Sequence, residues 1–188
     1  MHVFSRPSFA APASAAPQVA PRFTPGTVID APGGPRAVET LAAGDLVSTR
    51  DGPRAVAATG LRSVPREDWT YRRELWPIRV PVGSLGNAVP LRLPPDQRVM
   101  LHGPALEKAM GAPEVWVAIG ALVGLRGLAV DRPLGVLRQH GLALEGGGGA
   151  VCASGVWCDL AAGGQEPARD QVRAAFSAMN AAGEPRLG

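Results

Sequence analysis

Side chains that could act as nucleophiles, metal ligands or acid–base groups are sparse in this sequence of 188 residues. Cys152 and Cys158 are its only cysteines, and their C-x5-C spacing is not a usual zinc spacing. On one continuous strand their even separation would place both thiols on the same face, and we expect small buried apolar side chains. The two histidines in the body of the chain, His102 and His140, are expected to be structural.

Two carboxylates draw attention because each lies in a turn-like context. Asp45 follows a glycine and is expected to accept a hydrogen bond within a turn, whereas Asp96 is expected to lie exposed in a surface turn. The glycine run 146–149 predicts a flexible turn and not a phosphate loop, because no Lys-Ser/Thr pair follows it. We therefore expect no cofactor and no metal. The tryptophans are expected to pack or to anchor strands: Trp69, Trp76, Trp116 and Trp157.

The charge pattern argues against a nucleic-acid partner. Lys and Arg together number 19 against 16 Asp and Glu, and Lys108 is the sole lysine. Arg72 and Arg73 form the only adjacent basic pair. Binding to nucleic acid needs a basic stripe or a recognisable module, and the sequence contains neither.

Short strands joined by tight turns would have to position these residues. Residues 27–30 and 36–38 flank a Pro-Gly-Gly-Pro turn, and residues 45–50 and 54–60 flank Asp51-Gly52, a strong hairpin signal. The pattern predicts an all-β body. Its other predicted elements are a loop or edge over 62–74, a strand over 75–81 that Pro77 restricts to an edge or bulge, strands over 98–103, 114–131, 135–145 and 150–160, and a short helix over 104–110.

Composition changes divide the chain into three parts. Residues 1–20 are rich in Ala and Pro and are expected to form a disordered arm. The β domain is assigned to 21–164. Residues 165–188 are assigned to a C-terminal helix and tail, because Val172, Ala175, Phe176 and Met179 recur at helical spacing.

Targeting signals are not apparent in the sequence. No run of about 18 apolar residues is present, so no membrane span is predicted. The N-terminal residues lack the charged and apolar regions of a signal peptide. We expect a cytoplasmic location.

Three segments together resemble the Hint domain, the self-processing domain of Hedgehog proteins and inteins, in the short stand-alone form of many alphaproteobacterial proteins. Residues 23–56 look like the family's opening, with its Phe-Thr-Pro-Gly-Thr run and Gly-Asp-x-Val strand. Residues 80–101 are similar to the segment that ends in Ser-Pro-x-His-Arg-Val, and residues 128–146 to the Asp-Arg-His segment near the domain's end. The resemblance implies an all-β horseshoe with a catalytic centre where its ends meet.

The resemblance also implies a reaction whose key residues are replaced here. The first residue of the family's domain attacks the preceding carbonyl through a thiol or hydroxyl, and that position holds Arg22, a permanent cation. The family's histidine, which protonates the departing nitrogen, corresponds to Gln97, and the Ser/Thr before it corresponds to Pro94. In the third segment the histidine position is Pro133. Asn180 is followed by alanine instead of a nucleophile.

Three hypotheses follow for the function of the chain. The first is a catalytically inactive scaffold or binding module for a peptide or protein, in which Arg22 and Gln97 leave a polar cleft for a carboxylate or chain terminus. The second is a residual self-processing domain that uses Thr24 against the carbonyl of Phe23. The third is a structural or interaction protein that works through the C-terminal helix, which loss of self-association after deletion of residues 165–188 would test.

Overall fold

The computed structural model describes residues 19–20, 22–161 and 167–181, which form an antiparallel β domain with short helices. The predicted disordered arm therefore lies outside the described residues, apart from residues 19 and 20. The strands are β1 (Val28–Ile29), β2 (Arg36–Ala37), β3 (Leu46–Thr49), β4 (Gly52–Val64), β5 (Ile78–Val80), β6 (Leu91–Leu93), β7 (Arg98–His102), β8 (Glu114–Ala118), β9 (Ala129–Val130), β10 (Leu137–Leu144), β11 (Ala150–Ala153) and β12 (Val156–Asp159). The helices are α1 (Arg66–Trp69), α2 (Pro104–Met110) and α3 (Arg169–Ala181).

Two sheets contain these strands. The large sheet runs in the order β10-β4-β3-β11-β12-β7-β8, with β1 beside β11 and β2 beside β1. The small sheet runs β6-β5-β9. In the small sheet Ile78 and Val80 are buried while Arg79 between them is exposed, and Arg92 is likewise the exposed residue of β6. This alternation buries one face of the small sheet and directs its arginines outward.

The predicted hairpins are confirmed. β1 pairs with β2 across the Pro-Gly-Gly-Pro turn, and β3 pairs with β4 with Thr49 opposite Gly52. The glycine run 146–149 forms the turn between β10 and β11, and its four glycines have φ between 54° and 100°. That left-handed region disfavours residues with a Cβ, which explains why this turn is built from glycine.

Several elements differ from the sequence prediction. Residues 62–64, predicted as loop or edge, continue β4, because β10 pairs with it up to Val64. β5 is the central strand of its sheet and not an edge, since Pro77 precedes its first residue and removes no ladder donor. The predicted β segment 114–131 is strand only at its two ends, with a 3-10 turn over Ile119–Leu122 between them.

A continuous apolar core includes the C-terminal helix. The helix-spaced residues Val172, Ala175, Phe176 and Met179 are all buried, and α3 packs against α2 and the turn Ile119–Leu122. The apolar face of the C-terminal helix is therefore covered by the chain's own core. Within the described residues no helix is long and apolar enough to cross a membrane.

The buried cysteines, together with Trp69 and Trp76, have the structural roles that the sequence led us to expect. Cys152 and Cys158 are both buried and free, but they lie on the two strands of the β11–β12 hairpin and not on one strand. Trp69 is buried and donates to the carbonyl of Gly135 at 2.9 Å. The Trp76 indole donates to the Trp69 carbonyl at 2.9 Å and packs edge-on against its ring.

Candidate functional site

Arg22 enters the fold beside β10. The N–H groups of Arg22 and Phe23 both donate to the carbonyl of His140, at 2.8 and 2.9 Å, and the His140 N–H returns a bond of 2.7 Å to the Phe23 carbonyl. This isolated bridge fixes the backbone on either side of Arg22, whose side chain is buried with 8% of the residue exposed. Its Nη2 donates to the carbonyl of Ala161 at 3.1 Å. Arg22 thus points into the protein and reaches the far end of the β domain.

Gln97 lies in the turn between β6 and β7, which also contains Pro94. The Gln97 N–H donates to the Pro94 carbonyl at 2.9 Å, closing the turn. The Gln97 side chain is completely buried, and its Nε2 donates to the carbonyls of Arg98 and Asp159 at 2.8 and 2.9 Å. Gln97 and Arg22 therefore bond to carbonyls only two residues apart in the chain.

Asp159 is the third polar side chain at this point. It lies opposite Arg98 across the β7–β12 pair, because Cys158 pairs with Val99. The Arg98 Nη1 donates to Asp159 Oδ2 at 3.0 Å, and the Ala161 N–H donates to Asp159 Oδ1 at 2.8 Å. We call Arg22, Gln97, Arg98, Asp159 and Ala161 the Asp159 cluster.

Arg22 and Gln97 each have one buried side-chain atom without a hydrogen-bond partner among the described residues. These atoms are the Nε of Arg22, a donor, and the Oε1 of Gln97, an acceptor. An unsatisfied buried donor or acceptor is costly, so the cluster is not optimised for stability alone. Such atoms are suited to holding a polar group by hydrogen bonds, whereas neither side chain can act as a nucleophile or exchange a proton near neutral pH.

Cys158 is the thiol nearest to the Asp159 cluster in sequence, and it is completely buried. Burial raises the pKa of Cys158 far above its usual value, and the positive charge of Arg22 opposes this only weakly. Burial, followed by a hydrogen bond to Asp30, raises the pKa of Cys152 to about 12. The thiolate is the reactive form of cysteine, so this burial disfavours reaction of either thiol in the folded protein.

Thr24 and Pro133 lie in a second place, a cleft of about 660 Å³ lined also by Arg92, Arg132 and Leu134. We call it the Thr24–Pro133 cleft. The Thr24 Oγ1 donates to the carbonyl of Arg92 at 3.0 Å. The candidate positions are therefore divided between two places. Arg22 and Gln97 both bond to the segment 159–161, and Pro94 lies in the turn of Gln97. Thr24 and Pro133 line the cleft.

The remaining candidates have structural contacts. Asp45 accepts from the Ala42 N–H and from Arg36, both at 2.8 Å, and the Ala42 bond, with Arg36 second, lowers its pKa. Asp96 is exposed in its turn. His140 contributes its backbone to the Arg22 bridge, and His102 is half-buried at the end of β7. Asn180 lies on α3, where its side chain accepts a hydrogen bond from Arg126.

Sequence reasoning missed Arg98, Asp159 and the carbonyl of Ala161. Nothing local marks these residues, because the pairing of β7 with β12 joins positions about sixty residues apart. One signal was available in the sequence: Asp159 directly follows an apolar strand that ends in the buried Cys158. A carboxylate at such a position needs a partner. Within the described residues, no group of three or more His, Cys, Asp or Glu side chains could hold a metal ion.

The structure is an antiparallel β domain whose first and last described segments are joined by the bond from Arg22 to Ala161. The family model of the Hint domain matches residues 21–163, and the chain belongs to the Hint domain family. The resemblance inferred from the three sequence segments is thereby confirmed.

One similar solved structure agrees with this assignment at the level of the fold. The solution structure of a bacterial intein-like domain from Clostridium thermocellum is 14% identical, covers 74% of this chain and 99% of that domain, and superposes with a TM-score of 0.53. The crystal structure of the MchDnaB-1 intein is 12% identical over the same shares of the two chains, with a TM-score of 0.43. No curated protein matches the sequence.

Proposed function

We propose that this protein is a Hint domain that has kept the fold without the self-processing reaction and acts as a scaffold or binding module. The observation that supports this most directly is the burial of Arg22, whose guanidinium donates to the Ala161 carbonyl where a reacting thiol or hydroxyl would be needed. Attack on the preceding carbonyl requires a nucleophilic heteroatom on Cβ, and a guanidinium on a longer chain offers none.

The environment of Gln97 supports the same proposal. In both side-chain hydrogen bonds of Gln97, the amide nitrogen donates to a main-chain carbonyl. This arrangement holds the amide in place, but an amide has no proton to deliver to a departing nitrogen at neutral pH. The step that follows nucleophilic attack therefore lacks its acid as well.

The alternative, residual self-processing by Thr24, has weaker support. The Thr24 hydroxyl donates to a main-chain carbonyl, which cannot remove its proton. The carbonyl that Thr24 would attack, that of Phe23, is engaged with the His140 N–H. Thr24 is also two residues from Arg22, so the reacting bond would be displaced from the Asp159 cluster.

Intact-mass measurement tests the proposal. After overnight incubation with and without a thiol or hydroxylamine, we expect one species near 19.4 kDa under each condition. The Thr24→Ala variant is the matched control and should behave identically. A fragment that begins at Thr24 and disappears in Thr24→Ala would establish self-processing, and one that begins at Arg22 would contradict the inactive assignment.

The division of the chain is part of this proposal. We retain a β domain over 21–164, preceded by an arm over 1–20 and followed by a helix and tail over 165–188. The cytoplasmic location expected from the sequence stays a prediction.

A further inference from the structure

The Thr24–Pro133 cleft has features of a binding surface that packing does not explain. Its apolar rim is unusually exposed: Leu134 has 94% of its surface exposed and Val136 has 56%. Val130, at the edge of the small sheet nearby in sequence, is 49% exposed. Isolated exposed apolar residues are common, but several around one concavity are typical of an interaction site.

The charges around the same cleft are predominantly positive. Arg92, Arg132 and Arg138 line it together with a single carboxylate, that of Asp131, which pairs with Arg92. Within the described residues neither Arg132 nor Arg138 has a carboxylate partner. Two exposed guanidinium groups, those of Arg132 and Arg138, which precede and follow Leu134 in the sequence, are therefore available to anions in solution.

Arg132 is also held in position. Its guanidinium lies over the ring of Trp76, 5.6 Å from the ring centre, and Trp76 is itself fixed by its bond to the Trp69 carbonyl. A guanidinium stacked on an aromatic ring loses less freedom when it binds a carboxylate, and its planar fork can donate two parallel hydrogen bonds. The lining prolines Pro25, Pro77 and Pro133 add rigid walls.

We propose that the Thr24–Pro133 cleft binds an acidic, extended peptide segment of a partner protein. An apolar side chain of the segment packs against Leu134 and Val136, while its carboxylates pair with Arg132 and Arg138. Because the cleft is predominantly positive, its ligand is expected to be acidic. The exposed apolar rim favours a peptide over a nucleic acid, whose bases would need aromatic platforms for stacking. The inference rests on the proposed binding function and names its site and ligand class.

Fluorescence anisotropy with the full-length protein tests the inference. The probe is a fluorescein-labelled short peptide of alternating leucine and glutamate, compared with the same peptide carrying glutamine in place of glutamate. We expect the acidic peptide to bind at least about tenfold more tightly, and more weakly as salt is raised. Arg132→Glu and Arg138→Glu should each weaken binding about five- to tenfold.

Matched variants distinguish the cleft from the general charge of the protein. Arg169→Glu makes the same charge change on α3, outside the cleft, and should leave the affinity unchanged. Arg132→Gln removes the cation without adding a negative charge and covers the case in which a glutamate disturbs the fold. Leu134→Asp should weaken the acidic peptide through both lost apolar contact and repulsion.

Several outcomes would overturn the inference. These are absence of binding, equal affinity for the glutamine peptide, equal losses in Arg132→Glu and Arg169→Glu, or tighter binding of a single-stranded oligonucleotide of the same charge. Intact mass is measured on the same samples. If the protein stays intact but does not bind the peptide, only the peptide site is contradicted. If the protein is cleaved, the inactive assignment is contradicted whether or not the peptide binds.

Discussion

Arg98 and Asp159 form the charged pair at the centre of the Asp159 cluster. Only 14% and 12% of their side-chain surfaces are exposed, so solvent screens their attraction weakly. Asp159 also accepts the N–H of Ala161, the residue whose carbonyl receives Arg22. One carboxylate therefore orients the strand end that closes the β domain.

Replacing the Asp159 carboxylate should destabilise the folded protein. We expect Asp159→Ala to lower the free energy of unfolding by about 2 to 4 kcal/mol, because it removes the carboxylate that accepts from the partly buried Arg98 guanidinium and from the Ala161 N–H. Asp159→Asn keeps an oxygen for the Ala161 N–H and should lose less. Urea unfolding of the two variants and the wild type measures the difference, and equal stability of all three would show that the pair contributes nothing.

At the residue scale, sequence reasoning brought together Arg22 and Gln97 only through the family resemblance. Their types excluded nucleophilic and proton-transfer roles, and the structure places both at the same strand end. The contribution of Asp159 depends on a pairing between distant strands, which no local pattern encodes. The separation of Thr24 and Pro133 into a different cleft was not predicted, because motif positions carry no directions for their side chains.

At the scale of elements, residues 19, 20, 22 and 23 contact the outer side of β10. Gly141 allows this approach: a Cβ at this position would lie closer than 3.0 Å to the Ala20 carbonyl oxygen and to a methyl of Val19. The two neighbouring bonds to the His140 carbonyl and the bond from its N–H complete the contact. An otherwise open sheet edge is thereby closed, which protects it from pairing with another chain.

Gly141→Ala should force this segment away from β10. We expect a loss of about 1 to 3 kcal/mol in unfolding free energy, because the backbone of Ala20 cannot yield as a flexible side chain would. Gly33→Ala is the control, since a Cβ there meets nothing within 4 Å. Chemical denaturation compares the two, and a harmless Gly141→Ala would mean that residues 19 and 20 do not rest on β10.

The elements that sequence predicted well are those with local causes. Turn residues determine the hairpins at 32–35 and at Asp51-Gly52. The helix α3 was predicted from the helical spacing of its apolar residues, and those residues form its buried face. The far end of β4 was missed because its sequence is polar and its strand conformation comes from pairing with β10. Long-range pairing overrode local propensity there.

At the scale of the whole molecule, one core unites the sheets with the C-terminal helix. Phe176 is fully buried in it, with the guanidinium of Arg126 over its ring at 5.2 Å. The helix is therefore a structural part of the domain and not an appended arm. A molecule with a shared core of this kind is expected to unfold in a single transition.

Phe176→Ala should lower the stability of the entire molecule and not of the helix alone. We expect a loss of about 3 to 5 kcal/mol from the cavity and the lost burial, with thermal unfolding still a single transition. Ser177→Ala, an exposed neighbour on the same helix, should have little effect. If circular dichroism showed α3 melting separately from the sheets, the shared core would be refuted.

The hydrogen bond from Arg22 to Ala161 has a geometric consequence for how the domain can be combined with other proteins. Adjoining ends allow a domain to be inserted into a surface loop of a host without forcing the two sides of that loop apart. The entry at Arg22 and the return of the chain at Ala161 are joined by one arginine side chain. Because α3 follows Ala161 and shares the core, a host loop or a permuted chain would have to keep that helix with the β domain.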